Sequence, residues 1–249
     1  MFRKVHHVGI AVRSLEAALD FYRDCLGLPV VRMAEVPDQG VRAALLASGE
    51  SELELLEPTD PSTGVARFLA KRGEGLHHLC LETDDVAGEL TRFGARGVPL
   101  IDRVPRPGLA GRIGFLHPGA CAGVLVELAT PTEARPPAAA PLRLCRVVVG
   151  TEDPVGLGER LQSLFGLPLQ EINAGKRVQA EAGPVALLLV PADQAGGTLG
   201  MLALSLQTDD LTAAIARLEA GRRGFLRGAR EITVEAASSH GVPLHISQP

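Results

Sequence analysis

Two histidines and two glutamates stand at matching places in the first half of the chain. His7 opens the apolar stretch His7-Val8-Gly9-Ile10-Ala11-Val12, and Glu54 lies 47 residues further on, inside Leu53-Glu54-Leu55-Leu56. His78 opens His78-Leu79-Cys80-Leu81-Glu82, and Glu127 follows after 49 residues, inside Val124-Leu125-Val126-Glu127-Leu128. Imidazoles and carboxylates set in apolar strands are costly to bury without a charge partner. One divalent cation shared by all four would satisfy them together. Taken singly, a strand histidine is more often a satisfied core residue and a strand glutamate a solvated one. The near-equal spacing in two segments is what favours a common purpose. His6 and His77 immediately precede the two candidates, so they point to the opposite face as second-choice ligands or packing residues. A one-residue slip in register would exchange the roles.

The elements that must carry these residues repeat. Four segments share an order of short apolar strand, capping residue, amphipathic helix and glycine stop. The first is Val5–Val12, Ser14, a helix through Leu26, and Gly27. The second is His77–Thr83, Asp84-Asp85, a helix to about Arg96, and Gly97. The third is Leu144–Gly150, Asp153-Pro154, a helix to about Phe165, and Gly166. The fourth is Met201–Thr208, Asp209-Asp210, a helix to about Ala220, and Gly221. Apolar runs bounded by turn residues follow each helix and read as strands, among them Val41–Ala47, Glu52–Leu56, Arg112–Leu116, Val124–Leu128, Ala186–Val190 and Glu231–Glu235. Each repeat is therefore βαβββ, with an extra helix near Thr63–Lys71. The expected class is α+β. A Pro/Ala-rich stretch, residues 132–141, reads as a linker between a first domain, 1–131, and a second, 142–249.

The chain has 249 residues, 46% of them hydrophobic, enough for two cores. Aromatics are 3% with no Trp, so Leu, Val and Ala must fill those cores. A net charge of -4 gives no reason to expect nucleic acid or an anionic membrane as partner. Cys25, Cys80, Cys121 and Cys145 form no CxxC pair and read as free thiols in a reducing compartment. Arg13 interrupts the first apolar run before it could act as a signal segment, and no run approaches the ~20 residues of a membrane span. The expectation is a cytoplasmic protein.

The second half repeats the elements without the donors. Alignment on glycines, Pro191 and the Thr-Asp-Asp match puts Arg146, Leu187, Ala203 and His245 at the places of His7, Glu54, His78 and Glu127. One metal site per chain is expected, in the first half. His240 and His245 read as structural or solvated.

These stretches, with Glu57-Pro58, Gly75-Leu76-His77-His78-Leu79 and Phe115-Leu116-His117-Pro118, resemble the vicinal oxygen chelate superfamily, and within it the methylmalonyl-CoA epimerases, over about residues 3–131. The resemblance implies tandem domains of four βαβββ modules forming two half-open barrels. It implies a divalent metal (Co, Zn, Mn or Ni) on His7, Glu54, His78 and Glu127, and epimerisation of an acyl-CoA through an enolate. Glu127 is the first candidate base and Glu54 the second, with Glu35 and Glu57 as reserves. Some relatives carry a second base just after a Gln-Gly-Val stretch, where this chain has Ala43. Arg103, Arg106 and Arg112 flank Pro107–Gly111, a flexible loop that could close over a thioester. Arg106, Arg112 and His117 are the substrate-binding candidates. The expected partner is a small molecule of the acyl-CoA class, and the chain a monomer or homodimer whose second half either stands in for a partner subunit or carries a separate role. Alternatives are a glyoxalase I-type enzyme on a hemithioacetal, a ring-cleaving dioxygenase, against which the extra Glu54 counts, and a metal-free ligand-binding protein.

Overall fold

The computed structural model describes residues 2–132, 139–174 and 176–249. The first module runs β1 (Phe2–Ala11), α1 (Leu15–Leu19, widening into a π-helical segment Asp20–Cys25), β2 (Val30–Val36), β3 (Val41–Ser48) and β4 (Ser51–Pro58). A connecting helix, α2 (Gly64–Arg72), leads to β5 (Gly75–Thr83), α3 (Val86–Ala95), β6 (Arg106–Gly108), β7 (Gly111–Leu116) and β8 (Val126–Thr130). The third module is β9 (Arg143–Thr151), α4 (Pro154–Phe165), β10 (Leu169–Ile172), β11 (Arg177–Ala182) and β12 (Val185–Pro191). The fourth is β13 (Gly200–Gln207), α5 (Leu211–Ala220), β14 (Phe225–Arg227), β15 (Glu231–Val234) and β16 (Leu244–Ser247).

The strands form two eight-stranded sheets of the same order. One runs β2-β3-β4-β1-β5-β8-β7-β6, the other β10-β11-β12-β9-β13-β16-β15-β14. Both are mixed. β5 pairs parallel with β8, and β9 with β12, while the hairpins pair antiparallel. The expected α+β fold of four βαβββ modules in two half-open sheets is what forms. In each sheet the first strands of two modules lie side by side at the centre, so β1 neighbours β5. Of the expected linker, residues 133–138 lie outside the described residues.

Local chemistry accounts for the helix starts. The side chains of Ser14, Thr63, Asp85, Asp153 and Asp210 each accept from a backbone N–H three residues on. At the other ends, Gly27 and Gly166 take positive φ (78° and 71°) as the stop signals require. Gly221 does not. It stays right-handed at φ -76°, and the left-handed turn falls on Arg222 at φ 53°. The outer strands gave weak signals. β6 is the stretch read as a flexible loop, yet Arg106–Gly108 pairs antiparallel with Gly111–Ile113 as a hairpin.

Burial separates the sheets. In β11 the residues alternate, with Val178, Ala180 and Ala182 buried and Arg177, Gln179 and Glu181 half-exposed, so one face stays wet. In β4, Ser51 through Leu56 are all buried, so both faces of that strand are covered. All four cysteines are free thiols, three of them buried. No helix among the described residues is long and apolar enough to cross a membrane.

By packing, the chain divides into two compact units, Met1–His7 with His78–Arg135 and Arg146–Leu202, and Val8–His77 with Pro136–Cys145 and Ala203–Pro249. The first is centred on three rings. Phe2 stacks on Phe93 (6.2 Å), and Phe165 meets both edge-on at 5.0 and 5.7 Å. Arg92 lies over Phe93 and donates to the Leu164 carbonyl at 2.9 Å. In the second, the buried Tyr22 hydroxyl donates to the Ser239 carbonyl at 3.0 Å.

Candidate metal centre and active site

His7 on β1 and His78 on β5 meet across the centre of the first sheet. Their Nε2 atoms are 3.0 Å apart and their rings edge-to-face. Glu127 on β8 reaches both, with Oε1 3.8 Å from His7 Nε2 and Oε2 3.4 Å from His78 Nε2. Glu54 on β4 joins the two rings, one donor atom from each of His7, Glu54 and His78 lying within 4.8 Å of the others. All four residues are at most 5% exposed. Phe115, cross-strand partner of Glu127, sets its ring edge-on to His78 at 5.5 Å and walls one side.

This donor set fits a divalent metal. Two imidazole nitrogens 3.0 Å apart lie close to the roughly 3.0–3.4 Å expected between adjacent donors of a cation bound at about 2.0–2.1 Å. Imidazole with carboxylate suits zinc, cobalt, manganese or nickel. Burying two imidazoles and two carboxylates is costly unless they are paired, and a shared cation would pair all four.

Sequence reasoning missed two neighbours. Cys80 is cross-strand partner to Glu127, and its thiol donates to Glu127 Oε1 at 3.6 Å. His6 was expected on the opposite face, yet its Nδ1 meets His7 Nδ1 at 2.9 Å, and His6, His7 and Cys80 form a further donor group. Period-two spacing from His78 would have found Cys80. His77 does keep away, its ring edge-on to Phe68 of α2 at 5.0 Å.

Around Glu54 the ladder sorts the carboxylates. Leu45 pairs with Glu54 and Ala43 with Leu56, so the buried Ala43 shares Glu54's face. Glu52, two residues from Glu54 on that face, is also buried. Glu35 and Glu57 form a row with Arg42 on the other face. There Glu57 Oε2 accepts from Leu15 N–H (2.8 Å) at the start of α1 and from Arg42 (3.0 Å). Glu57 thus serves the scaffold, and Glu35 is exposed on the same face, away from Glu54.

The substrate-binding candidates part company. Arg106 lies over the Phe115 ring at 5.4 Å, one ring from His78, and Asp102 holds its guanidinium at 3.2 Å. Arg112 is exposed, alternates to the other face of β7, and donates to the Pro105 carbonyl. His117 is exposed beyond the end of β7, its Nδ1 accepting from Gly119 N–H at 3.1 Å. Arg103 is exposed.

The ladders of the second sheet locate the counterparts of these positions, with one correction. Ser205 pairs with His245 as Cys80 pairs with Glu127, which sets His245 and Ala203 at the places of Glu127 and His78. The two-residue hairpin turns, closed by Ser48 opposite Ser51 and by Ala182 opposite Val185, put Leu188 rather than Leu187 at the place of Glu54. Aligning on the prolines slipped because β12 is one residue shorter than β4. His245 bonds Thr233 at 3.1 Å.

Comparison with known proteins finds its epimerase likeness in about half of the chain. Residues 6–116 match the Glyoxalase/Bleomycin resistance protein/Dioxygenase superfamily. An ethylmalonyl-CoA/methylmalonyl-CoA epimerase of Cereibacter sphaeroides is 36% identical over 131 residues, 51% of this chain and 98% of that one. A Streptomyces coelicolor methylmalonyl-CoA epimerase variant, solved with 2-nitronate-propionyl-CoA, is 39% identical with a TM-score of 0.52, covering 55% of this chain and all of that one. A variant of 4-hydroxymandelate synthase from the same organism covers the whole chain and 93% of its own, at a TM-score of 0.73 and 17% identity, and bears on the tandem fold alone. The chain belongs to the glyoxalase/bleomycin resistance protein/dioxygenase superfamily.

Proposed function

We propose that this chain is an acyl-CoA epimerase of the methylmalonyl-CoA type, working from the cluster in its first half. The observation that carries the reading is the buried convergence of His7, Glu54, His78 and Glu127, within the half that is similar to epimerases. These four residues would hold a divalent cation. When bound, it supplies a Lewis acid for the oxygens of a thioester and its neighbouring carboxylate.

Inversion needs a proton taken from one face of the carbon and returned on the other. Glu127 is the proposed base for one face, oriented by the Cys80 thiol and flanked by both imidazoles. Glu54 serves the other, with Glu52 as the further carboxylate on its face of β4. Arg106 is the proposed contact for substrate charge, held in place by Asp102. Arg112 and His117 would act at the periphery. Phe115 and the apolar lining of Cys80, Ile113 and Ala129 exclude water, which strengthens the polar contacts within.

Incubation of methylmalonyl-CoA in deuterium oxide, with metal content measured alongside, tests this. Exchange at the α-carbon that tracks metal loading supports it. No exchange by fully loaded protein overturns it. The buried Ala43 favours a second reading, glyoxalase I-type isomerisation, and turnover of a hemithioacetal without α-carbon exchange on the thioester would select it.

A further inference from the structure

Away from the metal cluster, a cavity of about 380 Å³ opens between Arg13, Glu74, Arg223, Ser238, His240 and Gly241. Glu74 is fully engaged in shaping it. Its Oε1 accepts from Arg13 N–H at 2.7 Å, and its Oε2 faces His240 Nδ1 at 3.1 Å. His240 Nε2 in turn faces the Ala17 carbonyl at 3.1 Å. Both ring nitrogens are thereby engaged with acceptors of the protein. Arg223 lies over the Phe21 ring at 5.5 Å and beside the Cys25 thiol, and its buried Nε has no hydrogen-bond partner among the described residues. Ser238 Oγ accepts from Gly224 N–H at 3.2 Å, leaving its own proton to donate. Backbone strain is spent on the arrangement. His240 sits at φ 55° and Gly241 at φ 79°, where a Cβ would come within 1.9 Å of the Glu74 carbonyl oxygen.

The repeat supplies the control. A cavity of about 480 Å³ occupies the corresponding place in the other unit. There Glu152, before the cap of α4, stands where Arg13 precedes the cap of α1. Leu199, before β13, stands where Glu74 precedes β5. Ala122, at φ 49° before a positive-φ glycine, stands where His240 does. The fold needs none of Arg13, Glu74 or His240 at these places.

We infer that the Arg13–Arg223–His240 cavity binds a small oxyanion of the phosphate class. Two guanidinium groups and the Ser238 hydroxyl supply the donors, His240 being spent on holding Glu74 and the Ala17 carbonyl, and the single carboxylate is already committed to donors of the protein. The inference does not depend on the reaction proposed above.

The test is calorimetric titration of the intact protein with inorganic phosphate at constant ionic strength. Saturable binding is expected, weakened about tenfold or more in the double variant Arg13→Ala/Arg223→Gln. Arg160→Ala in the sister cavity is expected to leave it unchanged. Should the double variant not fold, Arg13→Ala and His240→Asn are measured singly, because Arg13 is exposed and Asn tolerates a positive φ. Absence of saturable binding, or equal binding by wild type and these variants, overturns the inference.

Discussion

His7 and His78, 71 residues apart in the chain, bring their Nε2 atoms to 3.0 Å across the centre of one sheet. The strand order makes this meeting possible, since β1 and β5 are neighbours only because two modules join through their first strands. Each module supplies one imidazole and one carboxylate.

Purified protein is expected to carry about one equivalent of divalent metal per chain. His78→Ala removes a donor from the centre of the cluster, and metal affinity should fall by about 100-fold or more. Elemental analysis after dialysis against a weak chelator checks this. Full occupancy in the variant would remove His78 from the ligand set.

Glu127→Gln keeps the shape of the site and removes the base. Deuterium exchange at the α-carbon should drop by about 10²–10⁴-fold. Turnover close to wild type in metal-loaded Glu127→Gln would reject the assignment of Glu127 as base.

Phe93→Ala should cost about 3–5 kcal/mol, because it removes the fully buried ring of a three-ring cluster. Urea denaturation with an unchanged m-value measures it. A loss under about 1 kcal/mol would mean that the neighbouring rings collapse into the gap.

Burial pushes the Cys121 thiol from 9.0 up to about 12. An unfolded chain ionises this thiol near pH 9 while the folded chain keeps its proton. The associated stability is therefore present below pH 9 and lost as pH rises toward 12. Alkaline unfolding of Cys121→Ala should fall off less steeply across that window than wild type. Parallel curves would show that Cys121 does not set the alkaline limb.

Much of this was legible in the sequence because each signal was local. Ser14, Asp85, Asp153 and Asp210 announce helix starts through their own hydrogen bonds, and the four-module order follows. What was not legible depended on pairing. Nothing local says that β12 is one residue shorter than β4, so Leu187 was read in place of Leu188. The ladder through Arg42 sends Glu35 and Glu57 to the scaffold side, which requires knowing that β2, β3 and β4 are consecutive. Arg112 could have been set apart from Arg106 by counting alternate residues back from Phe115 across the hairpin turn. Cys80 and Glu52 lay within period-two reach of His78 and Glu54, but a thiol and a carboxylate in an apolar run carry no label until their partners are known.

The ring cluster and the Tyr22 hydrogen bond bear on what the leading half could do if excised. Phe93 leans on Phe165, and Tyr22 gives its proton to Ser239. A truncated polypeptide ending before β9 would keep every donor of the metal cluster yet bare an aromatic face and strand a buried phenol. It would need to borrow a replacement surface from another molecule. In the intact chain Phe165 covers that ring face and the Ser239 carbonyl takes that proton.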